Sequence, residues 1–248
     1  MKFGQKIFHF NVLESTQDKA KDLAEKGERD GTVVLADRQT CGRGRLGRVW
    51  SSEKGGIWAS LILRPKIIPQ KAPLLALMAS GAIADALEAL YGIQCGLKWP
   101  NDVLIAKNKS YKKVGGILTE MRAESEKLHW VILGFGINVN NSIPLHLRES
   151  AISLKEAIHQ ELSQTLLLKE ILKWIEGAYK IFLTQGFQRL KKRYLKKTIL
   201  KRHTKVRLMD TEKRVEGEFE EIADDGALLL QTDKNKIEKF FAGDVRLI

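Results

Sequence analysis

Three features of the 248-residue chain predict an α+β fold: a mixed β-sheet with helices packed on it, followed by a small barrel. From Gly31 to Val139 apolar, strand-like runs are separated by turn signals. One long apolar segment, Pro73 to Leu90, interrupts them and reads as a core helix closed by Gly92. After about residue 200 the pattern changes to short alternating runs. A chain of this length buries a large core, so one large domain, placed at residues 1–200, with a small one at 201–248 is expected.

Ser15-Thr-Gln-Asp18 opens a helix that runs to Gly27, and Ser15 and Asp18 have the spacing of a capping box. Gly31–Asp37 is a buried-type strand and Gly56–Leu63 another, with residues 39–50 joining them. In Lys98-Trp-Pro-Asn-Asp102, Pro100 cannot donate to a ladder and Asn101-Asp102 suits a turn before an apolar strand. Asn108-Lys-Ser reads as a hairpin turn. Lys112–Met121 is the returning strand, where Gly115 and Gly116 permit close backbone approach to a ligand. Val131–Val139 is buried. Helices follow over Ser153–His159 and Leu166–Leu183, the latter apolar at Leu167, Ile171, Trp174 and Ile175. Five strand-like runs, Lys205–Met209, Val215–Ile222, Ala227–Gln231, Ile237–Phe241 and Val245–Ile248, build the small barrel.

Lys and Arg outnumber Asp and Glu by 42 to 30, and the excess is local. Between Gly177 and Met209 there is no acid, and removing the eleven bases found there lowers the net charge from +12 to +1. Phe187, Leu190, Tyr194 and Thr198 recur through that run at helical spacing, which gives an amphipathic helix with a solvated basic face. A nucleic-acid surface is the competing reading, but Tyr179, Phe182, Phe187 and Tyr194 sit at core-like spacing and not as a stacking platform. Cys41 and Cys95 lie far apart without metal-ligand spacing, so neither a zinc site nor a disulfide framework is indicated. The N-terminus has no signal-peptide pattern, and the longest apolar stretch, near residues 72–84, reads as too short to span a bilayer, so a cytoplasmic protein is expected.

The segment Gln39-Thr-Cys-Gly-Arg-Gly-Arg-Leu-Gly-Arg-Val-Trp50 suits no regular element. Backbone N–H groups exposed at Gly42, Gly44 and Gly47 can form an anion-binding concavity, and Arg43, Arg45 and Arg48 add forked, charge-assisted donors. Three guanidiniums in one loop repel, so the loop is expected to stay loose until a phosphate or carboxylate arrives. It is neither a Walker A sequence nor a dinucleotide fingerprint.

Gly42-Arg-Gly-Arg-Leu-Gly-Arg48 with Trp50 resembles the signature loop of the biotin protein ligases. Lys98-Trp-Pro-Asn-Asp102, Lys113-Val-Gly-Gly-Ile-Leu118 and Gly134-Phe-Gly-Ile-Asn138 are similar to further signatures of that family, in the same order. The resemblance covers essentially the whole chain. It implies a class II aminoacyl-tRNA synthetase-like catalytic sheet of the biotin/lipoate ligase type with an SH3-like barrel. It also implies ATP-dependent attachment of biotin to a lysine of a biotin carboxyl carrier protein through biotinyl-5'-AMP, with Mg²⁺ accompanying ATP. Residue by residue, it implies that Ser15, Thr16, Gln17 (where the family often has Asn), Gln39, Gly42, Arg43, Gly44, Arg45, Lys113 and Gly115 meet biotin. Arg43, Arg45, Arg48, Trp50, Asn101, Asp102 and Asn138 are implied at the adenylate, with Arg45 and Lys113 at the reacting centre. No metal-ligating side chain is implied.

Many members begin with an operator-binding helix-turn-helix. Ser15 lies too near Met1 for one here, so no specific DNA binding is expected. From Asn138 to Ala157 there is no aromatic residue, so adenine is expected to meet aliphatic groups such as Ile152 or Leu154. A lipoyl or octanoyl transferase of the same fold is the nearest alternative.

Overall fold

A computed structural model describes residues 2–108, 110–209, 214–232 and 236–248. Seven strands form the main sheet: β1 (Ile7–Leu13), β2 (Val33–Gln39), β3 (Ile57–Leu63), β4 (Cys95–Lys98), β5 (Asp102–Lys107), β6 (Ser110–Glu124) and β7 (Lys127–Ile137). Their order is β1-β2-β3-β7-β6-β5-β4, with β1 and β2 parallel and every other pair antiparallel. The sheet is thus mixed, as expected. Two strands are absent from the sequence reading, the four-residue β4 and β1. β1 is an edge strand with no buried residue, so it lacks the apolar run that marks β3 or β7.

Side chains of a strand alternate between faces, and the two faces of this sheet are covered differently. Leu61, Leu133 and Ile137 enter a core shared with α2 (Leu74–Tyr91) and α4 (Gln164–Gln185). On the opposite face Ile62, Ile132 and Val34 pack against Ala20 and Ala24 of α1 (Thr16–Glu25). With the 3-10 turn before it, α2 gives a 23-residue helical stretch, Pro69–Tyr91, apolar and long enough to cross a membrane, which corrects the sequence reading of that segment. Its apolarity follows from burial: residues 74–79 and 82–87 are all inside the fold. A short helix, α3 (Leu154–Ile158), and α5 (Gln188–Lys197) complete the set. Gly186, at φ +75°, separates α4 from α5.

The C-terminal sheet has five antiparallel strands, β8 (Lys205–Met209), β9 (Arg214–Ile222), β10 (Leu228–Gln231), β11 (Ile237–Phe240) and β12 (Asp244–Leu247), in the order β11-β10-β9-β8-β12. It docks on the main sheet: the Trp99 indole donates to the Gly226 carbonyl at 2.9 Å, and Lys191 of α5 pairs with Asp224 at 3.0 Å and with Glu221. The basic run of α5 is therefore not one solvated face. Arg193 and Lys197 turn inward to the buried Asp85, at 2.8 and 3.3 Å, and Arg202 and Arg207 pair with Glu220 and Glu216. Acids distant in sequence neutralise bases that look unopposed locally.

Candidate active site

Towards one end of the α1-covered face, bulky residues give way to small ones. Along β3 and β7, Ile62 and Ile132 are followed on the same face by Ser60, Gly134 and Gly136, and β6 adds Gly116. The hollow is a cavity of about 140 Å³ walled by the first turn of α1, the arginine loop, the 98–102 turn and Gly243-Asp244. A second opening of about 780 Å³ continues from it, sharing Trp50, Lys98, Asp102, Lys113 and Asp244, and extends to Asn138, Ile143 and Leu147.

Ser15 caps α1 by accepting from the Gln17 backbone N–H at 3.2 Å. Asp18 instead turns to Arg43 and Lys21, so the expected reciprocal box gives way to an ion pair across the cavity wall. Gln39 accepts from the Thr16 backbone N–H at 2.7 Å and from its hydroxyl at 3.0 Å, while Ser60 donates to Thr16 or Gln17 at 2.9 and 2.8 Å. Gln17 completes this polar cluster by donating to Glu120 at 2.7 Å. Thr16, Gln17 and Ser60 are buried and hydrogen-bonded to one another, so the cluster is a fixed polar surface in the cavity wall.

The arginine loop has structure of its own. Leu46 (φ 55°) and Gly47 (φ 69°) take the left-handed region in a 3-10 turn at Arg45–Gly47, and the Gly44 N–H donates to the Arg48 carbonyl at 2.7 Å. That N–H is spent within the loop, which corrects the reading of Gly44 as part of an open backbone concavity. The three guanidiniums are also paired, where the sequence suggested unrelieved repulsion. Arg43 meets Asp18, Arg45 donates to the Asn101 side chain at 3.2 Å and the Gly243 carbonyl at 3.3 Å, and Arg48 grips Asp244 at 3.2 Å. Each guanidinium has a partner from a different element.

At the opposite wall Lys113 Nζ lies 2.6 Å from Asp102 and 5.0 Å from the centre of the Trp50 ring. Lys98 joins Asp244 at 3.2 Å and Asp102 at 3.8 Å. A chain of alternating charge therefore runs Arg48, Asp244, Lys98, Asp102, Lys113. Asn101 is fixed by donation to the Ile117 carbonyl at 2.7 Å. Trp50 Nε1 is buried and has no hydrogen-bond partner among the described residues.

Ser15, Thr16, Gln17, Gln39, Arg43, Gly44, Arg45, Arg48, Trp50, Asn101, Asp102 and Lys113 all line the smaller cavity. Asn138 lines the larger one, accepting from Asn141 at 3.0 Å. Two predicted glycines do not line either. A Cβ at Gly42 would lie 2.4 Å from the Trp50 carbonyl, so that glycine lets the two arms of the loop close on each other. A Cβ at Gly115 would strike Ile137 on the core side, and it is Gly116 that faces the cavity, one residue on and so on the other face. Ile152 and Leu154 are fully buried in the main core and line neither cavity, so the aliphatic surface at the larger opening comes from Ile143 and Leu147. Sequence reasoning also missed Lys98, Ser60 and Asp244. Lys98 stood inside a recognised motif. Ser60 and Asp244 carry no local signal.

The sequence signature of the Biotin/lipoate A/B protein ligase family matches residues 9–138, and that of the Biotin protein ligase C terminal domain matches residues 200–247. The bifunctional ligase/repressor BirA of Bacillus subtilis is 41% identical over 248 residues, covering 98% of this chain and 74% of that protein. This chain belongs to the biotin protein ligase family. The fold agrees: a biotin protein ligase from Aquifex aeolicus, solved in complex with biotin and ATP, superimposes with a TM-score of 0.82 at 31% identity, over 98% of this chain and 99% of that one. A biotin–[acetyl-CoA-carboxylase] ligase of Paracoccus denitrificans is 29% identical over 93% of this chain and 98% of its own length.

In this family member Asp244 ties the C-terminal sheet to the arginine loop. Burial raises its carboxyl, but Lys98 and Arg48 outweigh that and hold it below the ordinary carboxylate value. For an acid lowered in this way the stabilisation is complete above its unfolded pKa, about 3.9, and is lost only as pH falls through the lower folded value. The stability gap between wild type and Asp244→Ala is therefore expected to be constant from pH 5 to 8 and to close below pH 4, as thermal melts will show. Loss of the partly exposed Arg48 pair, worth about 0.5–1 kcal/mol, should speed tryptic cleavage after Arg48 by about two- to fivefold. Equal cleavage of the variant and wild type would mean that Asp244 does not hold the loop.

Proposed function

We propose that the chain joins biotin to ATP, forming biotinyl-5'-AMP and pyrophosphate, and passes the biotinyl group to a lysine of a biotin carboxyl carrier protein, releasing AMP. The observation that carries this reading is the convergence of Arg45 and Lys113 on a cavity whose other wall is the neutral Ser15–Thr16–Gln17–Gln39–Ser60 cluster, with Arg43 beside that cluster on Asp18 and Glu120. The neutral donors and acceptors suit an uncharged ureido ring, and the cationic end suits a carboxylate beside phosphates.

In the first step a biotin carboxylate oxygen bonds to the α-phosphorus as the bond to pyrophosphate breaks. Two anions must approach, so the enzyme's task is charge stabilisation and alignment. Lys113, oriented by Asp102 and Trp50, and Arg45, oriented by Asn101, supply that charge without a covalent intermediate. Mg²⁺ enters with ATP as part of the substrate. Asp102 and Asp244 are the carboxylates at this wall, and among the described residues no group of three acids, histidines or cysteines is placed to hold a resident ion. In the second step the carrier lysine attacks the anhydride carbonyl and AMP leaves. The Arg43–Arg48 loop over the cavity shields the anhydride from water.

Incubating the protein with ATP, radiolabelled biotin and a carrier domain should label the carrier in an ATP-dependent way. Transfer of lipoyl or octanoyl in preference to biotin would overturn the assignment. The C-terminal match, residues 200–247, favours biotin. Thiol chemistry separates the readings as well. Cys41 is exposed and lies outside the cavity lining, while burial pushes the Cys95 thiol up to about 12, too high for a thiolate nucleophile. The Cys41→Ser, Cys95→Ala double variant is expected to keep most of kcat, whereas its inactivity when folded would point to an acyl-enzyme.

A further inference from the structure

On the proposed reading the junction of the two cavities receives a triphosphate, yet two carboxylates stand in its wall. Asp102 and Asp244 line both cavities, and their side chains are only 12% and 16% exposed. Acids so placed repel a polyanion, because solvent screens part-buried charges poorly. Their four oxygens are divided among cations. Asp102 Oδ1 lies 2.6 Å from Lys113, and Asp244 Oδ2 lies 3.2 Å from Arg48. The two remaining oxygens, Asp102 Oδ2 and Asp244 Oδ1, approach the same ammonium, Lys98 Nζ, at 3.8 and 3.2 Å.

A lysine between these two acids either tethers the C-terminal sheet, which carries Asp244, or cancels charge that would oppose ATP. As a tether it is redundant: Trp99 on the Gly226 carbonyl, Lys191 on Glu221 and Asp224, and Arg48 on Asp244 hold the same sheet. As a charge it is not. Burial raises the Asp244 carboxyl, and Lys98 opposes that more strongly than Arg48 does. Arg246 reaches Asp244 at 3.8 Å but is 67% exposed, so solvent screens it. Within the chain of charges from Arg48 to Lys113, three cations stand against two carboxylates, and loss of Lys98 leaves no positive excess.

We propose that Lys98 is a positioning residue of the ligase site, neutralising the facing oxygens of Asp102 and Asp244 so that this wall admits the triphosphate of ATP. The inference rests on the ligase reading of the cavity.

Biotin-dependent pyrophosphate release with ATP varied tests it. A unit charge within about 10 Å, at an effective dielectric constant of about 20, changes affinity on the order of tenfold, so Lys98→Met is expected to raise the KM for ATP by about tenfold or more, with a smaller change in kcat. Adding Asp244→Asn removes one negative charge, keeps an oxygen for Arg48 and cannot restore the bridge to residue 98. The double variant is expected to recover the KM for ATP to within about threefold of wild type, whereas loss of a tether would leave it no better than the single variant. Lys98→Gln serves in place of Lys98→Met if the latter does not fold. A wild-type KM for ATP in the folded single variant, or a folded double variant no better than the single one, would overturn the inference alone. Wild-type protein that releases no pyrophosphate from ATP and biotin would overturn the ligase reading and the inference together.

Discussion

Lys113→Ala and Arg45→Ala are each expected to slow biotin-dependent pyrophosphate release by about 10²–10³, or about 2.7–4 kcal/mol, the usual cost of removing one preorganised charge-stabilising donor. Both groups are held by neighbours before substrate binds, Lys113 by Asp102 at 2.6 Å and Arg45 by Asn101 at 3.2 Å, so neither has to be reoriented as charge develops. Removing Lys113 does not leave Asp102 stranded, because Lys98 stands 3.8 Å away, and the loss should fall on rate far more than on thermal stability. Lys113→Arg should rescue poorly, since the planar fork does not reproduce a compact ammonium placed over Trp50. Pyrophosphate release at the wild-type rate by both alanine variants would mean that the reacting centre lies elsewhere.

Gly134→Ala is expected to raise the biotin KM by about ten- to a hundredfold with little change in kcat. A Cβ on Gly134 would sit 2.4 Å from Gln17 Oε1 and 2.8 Å from its Cδ, closer than atoms tolerate. Gln17 has little freedom to retreat, being buried and tied to Ser60 at 2.8 Å and Glu120 at 2.7 Å. The methyl group must therefore displace the amide from the recognition cluster, at the 1–3 kcal/mol typical of overpacking, about ten- to a hundredfold in affinity. Gln17→Asn shortens the side chain by one methylene and should recover part of the loss in a double-mutant cycle. Additive effects of the two changes would show that Gly134 does not act through Gln17.

The residues by themselves determined what depends on local pattern. Alternation and apolar runs marked β2, β3, β5, β6, β7 and the C-terminal strands. The glycine–arginine loop, Lys98–Asp102, Lys113–Leu118 and Gly134–Asn138 announced the chemistry, because a signature keeps its residue types in sequence order. Those segments lie far apart in the chain, and what brings them to one cavity is the β3-β7-β6-β5 order. Face and partner are tertiary properties. Sequence could not separate Gly115 from Gly116, because a one-residue offset along a strand swaps core for cavity and only register fixes it. Nor could it foresee that three repelling arginines would be reconciled by Asp18, Asn101 and Asp244. Asp244 lies 196 residues from Arg48, and an ion pair at that separation depends on docking of the C-terminal sheet, for which no local pattern exists. The same holds for the acid-free run at 177–209, which reads as a cationic stripe until Asp85, Glu88 and Glu221 are folded against it. Charge along a chain is counted by sequence, but charge in space is set by which elements touch.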